Sequence, residues 1–298
     1  MITGANGNLG RRLIKALLPE HEVVAVVRSN KAADTVSGLT LTDDERARLS
    51  LQVLDYADVT ALREAAAGCT RVVHLVGILK EAHNTTYSAA HEQSCTALAQ
   101  ALAGGTVEHV TYLSIVGSRP DADNACLASK GRAEAILTEQ TAAACILRVP
   151  MVLGEGDYAS FALQKRAAGG MSFTFRASSM EQPIYAGDVV AAIVSAGREK
   201  LAAVLDLGGP EALTRAELTH RAASLLGNQA RVISLPISVG YCMAWVFERI
   251  SSNPPVTRAM LGVLDHDDVV ESAAAWQQLA LAPPTSLDEM LAKVLKRS

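Results

Sequence analysis

The sequence is poor in the features that mark several large protein classes. Its five cysteines (Cys69, Cys95, Cys126, Cys145 and Cys242) are scattered, odd in number and without CxxC spacing. That excludes a disulfide framework and the common dithiol and zinc motifs, and it fits free thiols in a reducing compartment, the cytoplasm. No Lys/Arg-rich run is present and the formal net charge is −4, so no nucleic-acid partner is indicated. No signal peptide and no apolar run of membrane-spanning length occurs. The most apolar late stretch, 237–247, is too short to cross a bilayer and reads as a helix packed on the core; a helix facing a membrane or a partner is the alternative. Internal repeats and low-complexity linkers are missing too. No set of metal ligands is spaced to converge: the acidic run Asp265-His-Asp-Asp268 reads as a solvated helix start.

What remains is a chain of 298 residues, 49% hydrophobic and 19% charged, enough for one two-lobed domain or two small ones. Apolar runs at 22–27, 51–54, 71–76, 110–114, 145–148 and 204–207 read as buried strands. Helical patterns at 9–18, 59–67, 87–103 and 129–139 alternate with them. That alternation predicts an α/β fold, a doubly wound parallel Rossmann sheet. Residues 1–153, with returning segments at about 183–208, form the predicted dinucleotide-binding domain. Residues 154–298, where strands become sparse, form a smaller lobe for a substrate or partner.

The opening Ile2-Thr-Gly-Ala-Asn-Gly-Asn-Leu-Gly10 spaces its glycines as GxxGxxG. Gly4 permits a sharp turn after a strand, Gly7 lets the backbone approach a pyrophosphate, and Gly10 lets the next helix pack closely. The helix start then offers unpaired N–H groups to phosphate. Thr3, Gly4, Asn6, Gly7, Asn8, Leu9 and Gly10 are therefore the predicted diphosphate cradle. Only three residues precede Gly4, fewer than a central strand needs, so the native chain is expected to begin upstream.

After the second strand an NAD binder usually carries an acid for the ribose hydroxyls. Here stands Arg28, which could pair with a 2′-phosphate, and Arg11 and Arg12 add charge nearby. The preferred cofactor is therefore NADP(H), with NAD(H) as the alternative. Asp55 and Tyr56 end the third strand where the adenine edge would lie; an Asx turn at Asp55 would look the same.

These residues resemble the short-chain dehydrogenase/reductase superfamily in its extended and atypical branches. The resemblance extends through the fourth-strand motif Val73-His-Leu-Val-Gly-Ile-Leu79, the serine-bearing Val110-Thr-Tyr-Leu-Ser114, Ile146 to Gly154, Pro183 to Val189 and Leu207 to Thr214. His-Leu-Val-Gly-Ile-Leu and Pro254-Pro-Val-Thr-Arg258 are similar to the group containing the nucleotide-binding accessory subunit of respiratory complex I. The resemblance implies a nicotinamide dinucleotide partner, contacts from Leu75, Val76 and Gly77, a small-molecule substrate of unknown kind, and possible peripheral association with a membrane complex. In active members a YxxxK pair does the chemistry. Alignment puts Lys130 at the lysine and Cys126 at the tyrosine. The i, i+4 spacing keeps both on one helix face, but the phenol is missing. A thiol there is shorter by about 4 Å in reach, and beside Lys130 it would move toward thiolate. Ser114 is the candidate serine, although the position two residues on, where the branch often keeps it, is Val116.

The resemblance thus implies a dinucleotide-binding protein of structural or redox-sensing kind with little ordinary dehydrogenase activity. The alternatives are an NADPH-dependent reductase of an activated carbonyl, enone or quinone, and, against the missing tyrosine, a sugar-nucleotide epimerase or dehydratase. Tyr158 and Tyr185 could supply a phenol from another direction, though packing is their ordinary role. His74 and His109 read as satisfied core or edge histidines. The substrate pocket would draw on 154–174 and on late helices with Trp245 and Phe247.

Overall fold

A computed structural model describes residues 1–82, 85–251, 254–263, 265 and 267–295. The chain runs β1 (Ile2–Thr3), α1 (Asn8–Leu17), β2 (Val23–Val27), α2 (Asn30–Ser37), α3 (Asp43–Ala47), β3 (Leu49–Val53), α4 (Val59–Ala66) and β4 (Arg71–His74). A π-helical turn, Ser88–Gln93, leads into α5 (Ser94–Leu102), then β5 (His109–Ile115), α6 (Ala125–Gln140) and β6 (Ala144–Val149). There follow β7 (Val152–Leu153), α7 (Tyr158–Ala167), β8 (Gly170–Phe175), β9 (Met180–Glu181), β10 (Ile184–Tyr185), α8 (Ala186–Arg198) and β11 (Ala203–Asp206). The chain closes with β12 (Leu213–Thr214), α9 (Arg215–Leu225), β13 (Ala230–Leu235), α10 (Ile237–Ile250), α11 (Arg258–Val263), α12 (Ala273–Gln278) and α13 (Leu287–Val294).

Seven strands form the parallel central sheet in the order β11-β6-β5-β4-β1-β2-β3. The order reverses between β1 and β4, and that switch point opens a crevice at the carboxyl ends of the strands. β1 is only two residues long, yet it pairs with Ala25 and Val26 on one side and Val73 and His74 on the other. The Met1 amino group donates to the Arg71 carbonyl at 2.8 Å.

One hydrophobic core, with Leu13, Ile14, Val27, Leu147 and Ile193, fills the α1/α8 side of the sheet. A second, with Leu62, Leu98, Tyr112 and Leu137, fills the other. A third, with Leu163, Leu218, Leu287 and Met290, lies among α7, α9 and α13. Trp276 and Leu279 of the late chain pack into the first core rather than the third. Strands after residue 154 are numerous rather than sparse, most of them in three two-stranded pairs. β7 pairs with β10, β9 with β12, and β8 with β13 over six residues. The 237–247 stretch is helical, but it is not packed into the core: only Gly240 and Ala244 of α10 are buried. The acidic run is not a helix start either. It follows α11, where Asp265 and Asp267 pair with Arg176 at 2.8 and 3.7 Å; His266 lies outside the described residues.

Candidate functional site

The glycine turn sits at the switch point. Gly4 has a φ of +72°, and a Cβ there would meet the Leu75 carbonyl at 3.0 Å. A Cβ on Gly10 would come within 2.7 Å of the Ala5 carbonyl, so the helix can approach β1 only without one. Some amides of the turn are bonded internally. Gly4 N–H donates to the Tyr56 hydroxyl at 3.0 Å, Ala5 N–H to the Val26 carbonyl and Gly7 N–H to the Gly4 carbonyl. Among the described residues the amides of Asn6, Asn8, Leu9 and Gly10 have no protein acceptor, and Gly7 gives α1 no side-chain cap. Four N–H groups therefore converge with the positive end of the helix dipole where a diphosphate would lie.

The side chains around the turn divide into those that face the crevice and those that hold it in shape. The Thr3 hydroxyl is buried and lies 2.7 Å from His74 Nδ1, while His74 Nε2 lies 3.3 Å from Ser94 Oγ. Ser94 Oγ donates to the Ala90 carbonyl, so it accepts from His74, which must carry its proton on Nε2 and accept from Thr3. Burial lowers the His74 pKa to about 3 and keeps the ring neutral. Tyr56 is a brace, donating to the Val26 carbonyl at 3.2 Å while accepting from Gly4. Asp55 Oδ1 accepts from Ala57 N–H, which is the Asx turn.

Arg28 is exposed at the end of β2, and no described acid pairs with it. Arg12 behaves otherwise than the sequence suggested. Its Nε donates to Asn8 Oδ1 at 2.8 Å and its Nη2 lies 2.6 Å from the Glu155 carboxylate, so its charge is neutralised there. Arg11 Nε leans on the Gly7 carbonyl at 3.4 Å. Asn8 Nδ2 also donates to the Glu155 carbonyl, which ties α1 to the segment after β7. Glu155 in turn accepts from the Tyr185 hydroxyl at 2.8 Å, so that phenol is a packing group, and Tyr158 is 85% exposed.

The catalytic candidates lie on α6, whose start is capped by Asn124 accepting from the Cys126 and Leu127 amides. Lys130 is buried. Its Nζ donates to the Leu113 carbonyl at 2.8 Å and to the Tyr112 hydroxyl at 3.2 Å. A Cβ on Gly77 would lie 3.1 Å from that Nζ. Gly77 therefore leaves room for the ammonium beside the predicted nicotinamide-ribose position. Burial lowers the Lys130 pKa to about 8. Cys126 faces the same 77–79 stretch, and its thiol donates to the Ile78 carbonyl at 3.5 Å. The thiolate expected from Lys130 does not form: burial outweighs the ammonium and pushes the thiol up to about 11. Ser114 is buried, donates to Ser118 Oγ at 3.3 Å, and has no hydrogen bond to Cys126 or Lys130.

Two side chains escaped sequence reasoning. His91 Nε2 accepts from the Ile78 amide at 3.1 Å, and Tyr87 stacks on His91 and donates to the Leu79 carbonyl at 2.9 Å. Both lie at the helix start after β4, within and just before the π-helical turn. Periodicity gives no warning of such a turn, because one extra residue per turn re-aims side chains without changing the apolar pattern.

A family model described as NAD(P)H-binding matches residues 4–177. Subunit 9 of the NADH dehydrogenase [ubiquinone] 1 alpha subcomplex, a mitochondrial protein of Arabidopsis thaliana, is 24% identical over 250 residues; that match covers 82% of this chain and 61% of the plant protein. The chain thus spans less than two thirds of that relative's length. A ceramide reductase of Caulobacter vibrioides is 24% identical over 247 residues, covering 79% of this chain and 73% of the reductase. The crystal structure of an NADPH-dependent quinone oxidoreductase from Escherichia coli, complexed with NADPH, superposes with a TM-score of 0.73 at 18% identity, covering 98% of each chain. A UDP-glucuronic acid 4-epimerase from Bacillus cereus gives 0.72 at 17% identity, covering 98% of this chain and 96% of the epimerase. The chain belongs to the NAD(P)H-binding Rossmann proteins, as an atypical member of the short-chain dehydrogenase/reductase superfamily.

Proposed function

We propose that this chain binds NADP(H) and acts chiefly as a dinucleotide-binding protein, structural or redox-sensing, without ordinary alcohol–ketone catalysis. One observation carries the reading. At the place where the resemblance requires a phenol, Cys126 presents a protonated thiol that is bonded to the Ile78 carbonyl. A proton donor must come within about 3 Å of the substrate oxygen, and this one is buried against the protein's own backbone.

The described residues fit the cofactor. The free amides of Asn6, Asn8, Leu9 and Gly10 would take the diphosphate, Arg28 the 2′-phosphate, and Lys130 the nicotinamide ribose. Bound NADPH supplies a hydride. The chain's own residues hold it: His74 and Tyr56 fix the turn from beneath, and Gly77 leaves space for the Lys130 ammonium. On this reading residues 1–153 with 183–208 form the nucleotide unit, and most of 154–298 forms a lobe over it. The cytoplasm is the matching location, and association with a membrane complex, as the plant relative's name suggests, is the matching partnership.

The second reading is an NADPH-dependent reductase of activated acceptors. Lys130 favours it, because a buried ammonium with a pKa near 8 could stabilise negative charge developing beside Gly77. Calorimetric titration with NADPH and NADH tests the binding claim; failure to take up either nucleotide would end it. NADPH consumption over quinones, enones, aldehydes and nucleotide sugars separates the two readings. Steady oxidation with one class would replace the first by the second.

A further inference from the structure

The late part of the chain carries an apolar face that nothing among the described residues covers. Parallel register sets Met171, Phe173 and Phe175 of β8 beside Arg231, Ile233 and Leu235 of β13. Alternate strand residues share a face, and the intervening Ser172 and Thr174 of β8 are buried, so these six look outward. α10 crosses that face at one end only, where the Phe175 ring comes within 3.2 Å of a Cβ built on Gly240. Beyond it Met171 and Phe173 stay 67% and 58% exposed. The helix buries Gly240 and Ala244 and turns Val239, Met243, Val246 and Ile250 to solvent, a stripe at i, i+4, i+7 and i+11. With Trp245 on the helix's flank, β8 and α10 together hold seven of the thirteen large exposed hydrophobic residues described. Concentration of that kind marks an interaction surface.

Charge identifies the occupant. Segments 158–176 and 230–251 hold five Lys/Arg, of which Arg176 is met by Asp265 and Asp267, and one acid of their own, Glu248, in a chain whose net charge is −4. Glu248 is bonded to Arg258. Among the described residues no acid pairs with Arg231 or Arg249, and the Arg249 guanidinium lies 4.1 Å over the Trp245 ring. We propose that this face docks on an anionic lipid bilayer, with α10 lying in the headgroup layer. Hydrocarbon takes the apolar stripe, phosphates take the unpaired arginines, and a Trp–Arg pair suits the interface between them. No helix among the described residues is long and apolar enough to cross a membrane. A second copy is the poorer occupant, because two-fold pairing would set unpaired arginines together without an acid to meet them.

The test uses the whole chain with vesicles of phosphatidylcholine alone or mixed with phosphatidylglycerol. Co-sedimentation with the mixed vesicles and a blue shift of Trp245 fluorescence are expected, both weakening as salt rises. The other tryptophan, Trp276, is buried and stays silent. Met243→Glu and Val246→Glu remove both signals while NADPH binding is unchanged. Arg231→Ser lowers the partition coefficient about fivefold. Absence of binding to mixed vesicles overturns the proposal, as does undiminished binding in both glutamate variants. Sedimentation velocity showing a dimer that Val246→Glu dissociates, with no vesicle binding, assigns the face to a second copy instead.

Discussion

Two buried polar sites of this molecule are built in opposite ways. Beneath the glycine turn the interior polar groups are neutral: Thr3, His74 and Ser94 form a hydrogen-bonded chain whose imidazole burial keeps uncharged. Where β9 meets the start of α9 the buried groups are ions. Arg215 and Glu181 are 7% and 4% exposed and lie 2.6 Å apart, and Arg215 also donates to the Phe175 carbonyl. A neutral network under a phosphate site leaves the field there to the open amides and Arg28. The Arg215–Glu181 ion pair ties β9 to the start of α9 by directed bonds, where β9 and β12 pair over only two residues. The same difference reaches the surface. Among the described residues the first half exposes two large apolar side chains, Val53 and Leu79, whereas the second exposes eleven, seven of them on β8 and α10.

The comparison can be broken most forcefully at the ion pair. Arg215→Met leaves Glu181 buried without its partner and is expected to cost about 3–5 kcal/mol, read by urea denaturation. Acid should expose the neutral network next. His74 and His91 both have pKa values lowered to about 3, against an ordinary value of 6.5, by burial. Between those values the unfolded chain binds the extra protons, so stability falls as pH drops below about 6.5. The slope is about 1.4 kcal/mol per pH unit for each histidine. Thermal melts from pH 7 to pH 5 measure it, and His74→Gln should remove one histidine's share. A slope unchanged in that variant would show that His74 is not the group titrating.

Arg28→Asp sharpens the comparison at the crevice. It should weaken NADPH by about 10- to 100-fold and spare NADH, the loss of a charge-assisted contact. Competition titration reads the ratio, and equal losses for both nucleotides would remove Arg28 from the 2′-phosphate. The smallest effect is expected from Tyr56→Phe. That change frees the Gly4 amide and deletes the bond to Val26, costing about 1 kcal/mol of stability and leaving nucleotide preference untouched. A change in preference would mean that Tyr56 touches the adenine edge rather than bracing the turn.

Much of this was readable in the chain itself. The strand at Val23–Val27 and the helix at Val59–Ala66 lie within two residues of where their patterns put them. A parallel strand buried on both faces must be almost continuously apolar, and a helix packed on it must repeat every three to four residues. Gly4 and Gly10 were legible because only glycine tolerates a φ of +72° or a carbonyl 2.7 Å from its missing Cβ. The i, i+4 placement of Cys126 and Lys130 was equally local.

What depended on distant parts of the chain was not legible. Whether Arg12 faces phosphate or Glu155 depends on a residue 143 positions away. Whether Cys126 is thiol or thiolate depends on how thoroughly the 77–79 stretch covers it, and burial exceeds the pull of Lys130. The apolar residues of α10 gave the same periodic signal whether they faced the core or the solvent. Composition and spacing determined which elements form and where glycine had to stand. Tertiary packing decided which charges meet, which polar groups lose water and which apolar face is left bare, because those energies depend on neighbours that sequence distance does not encode.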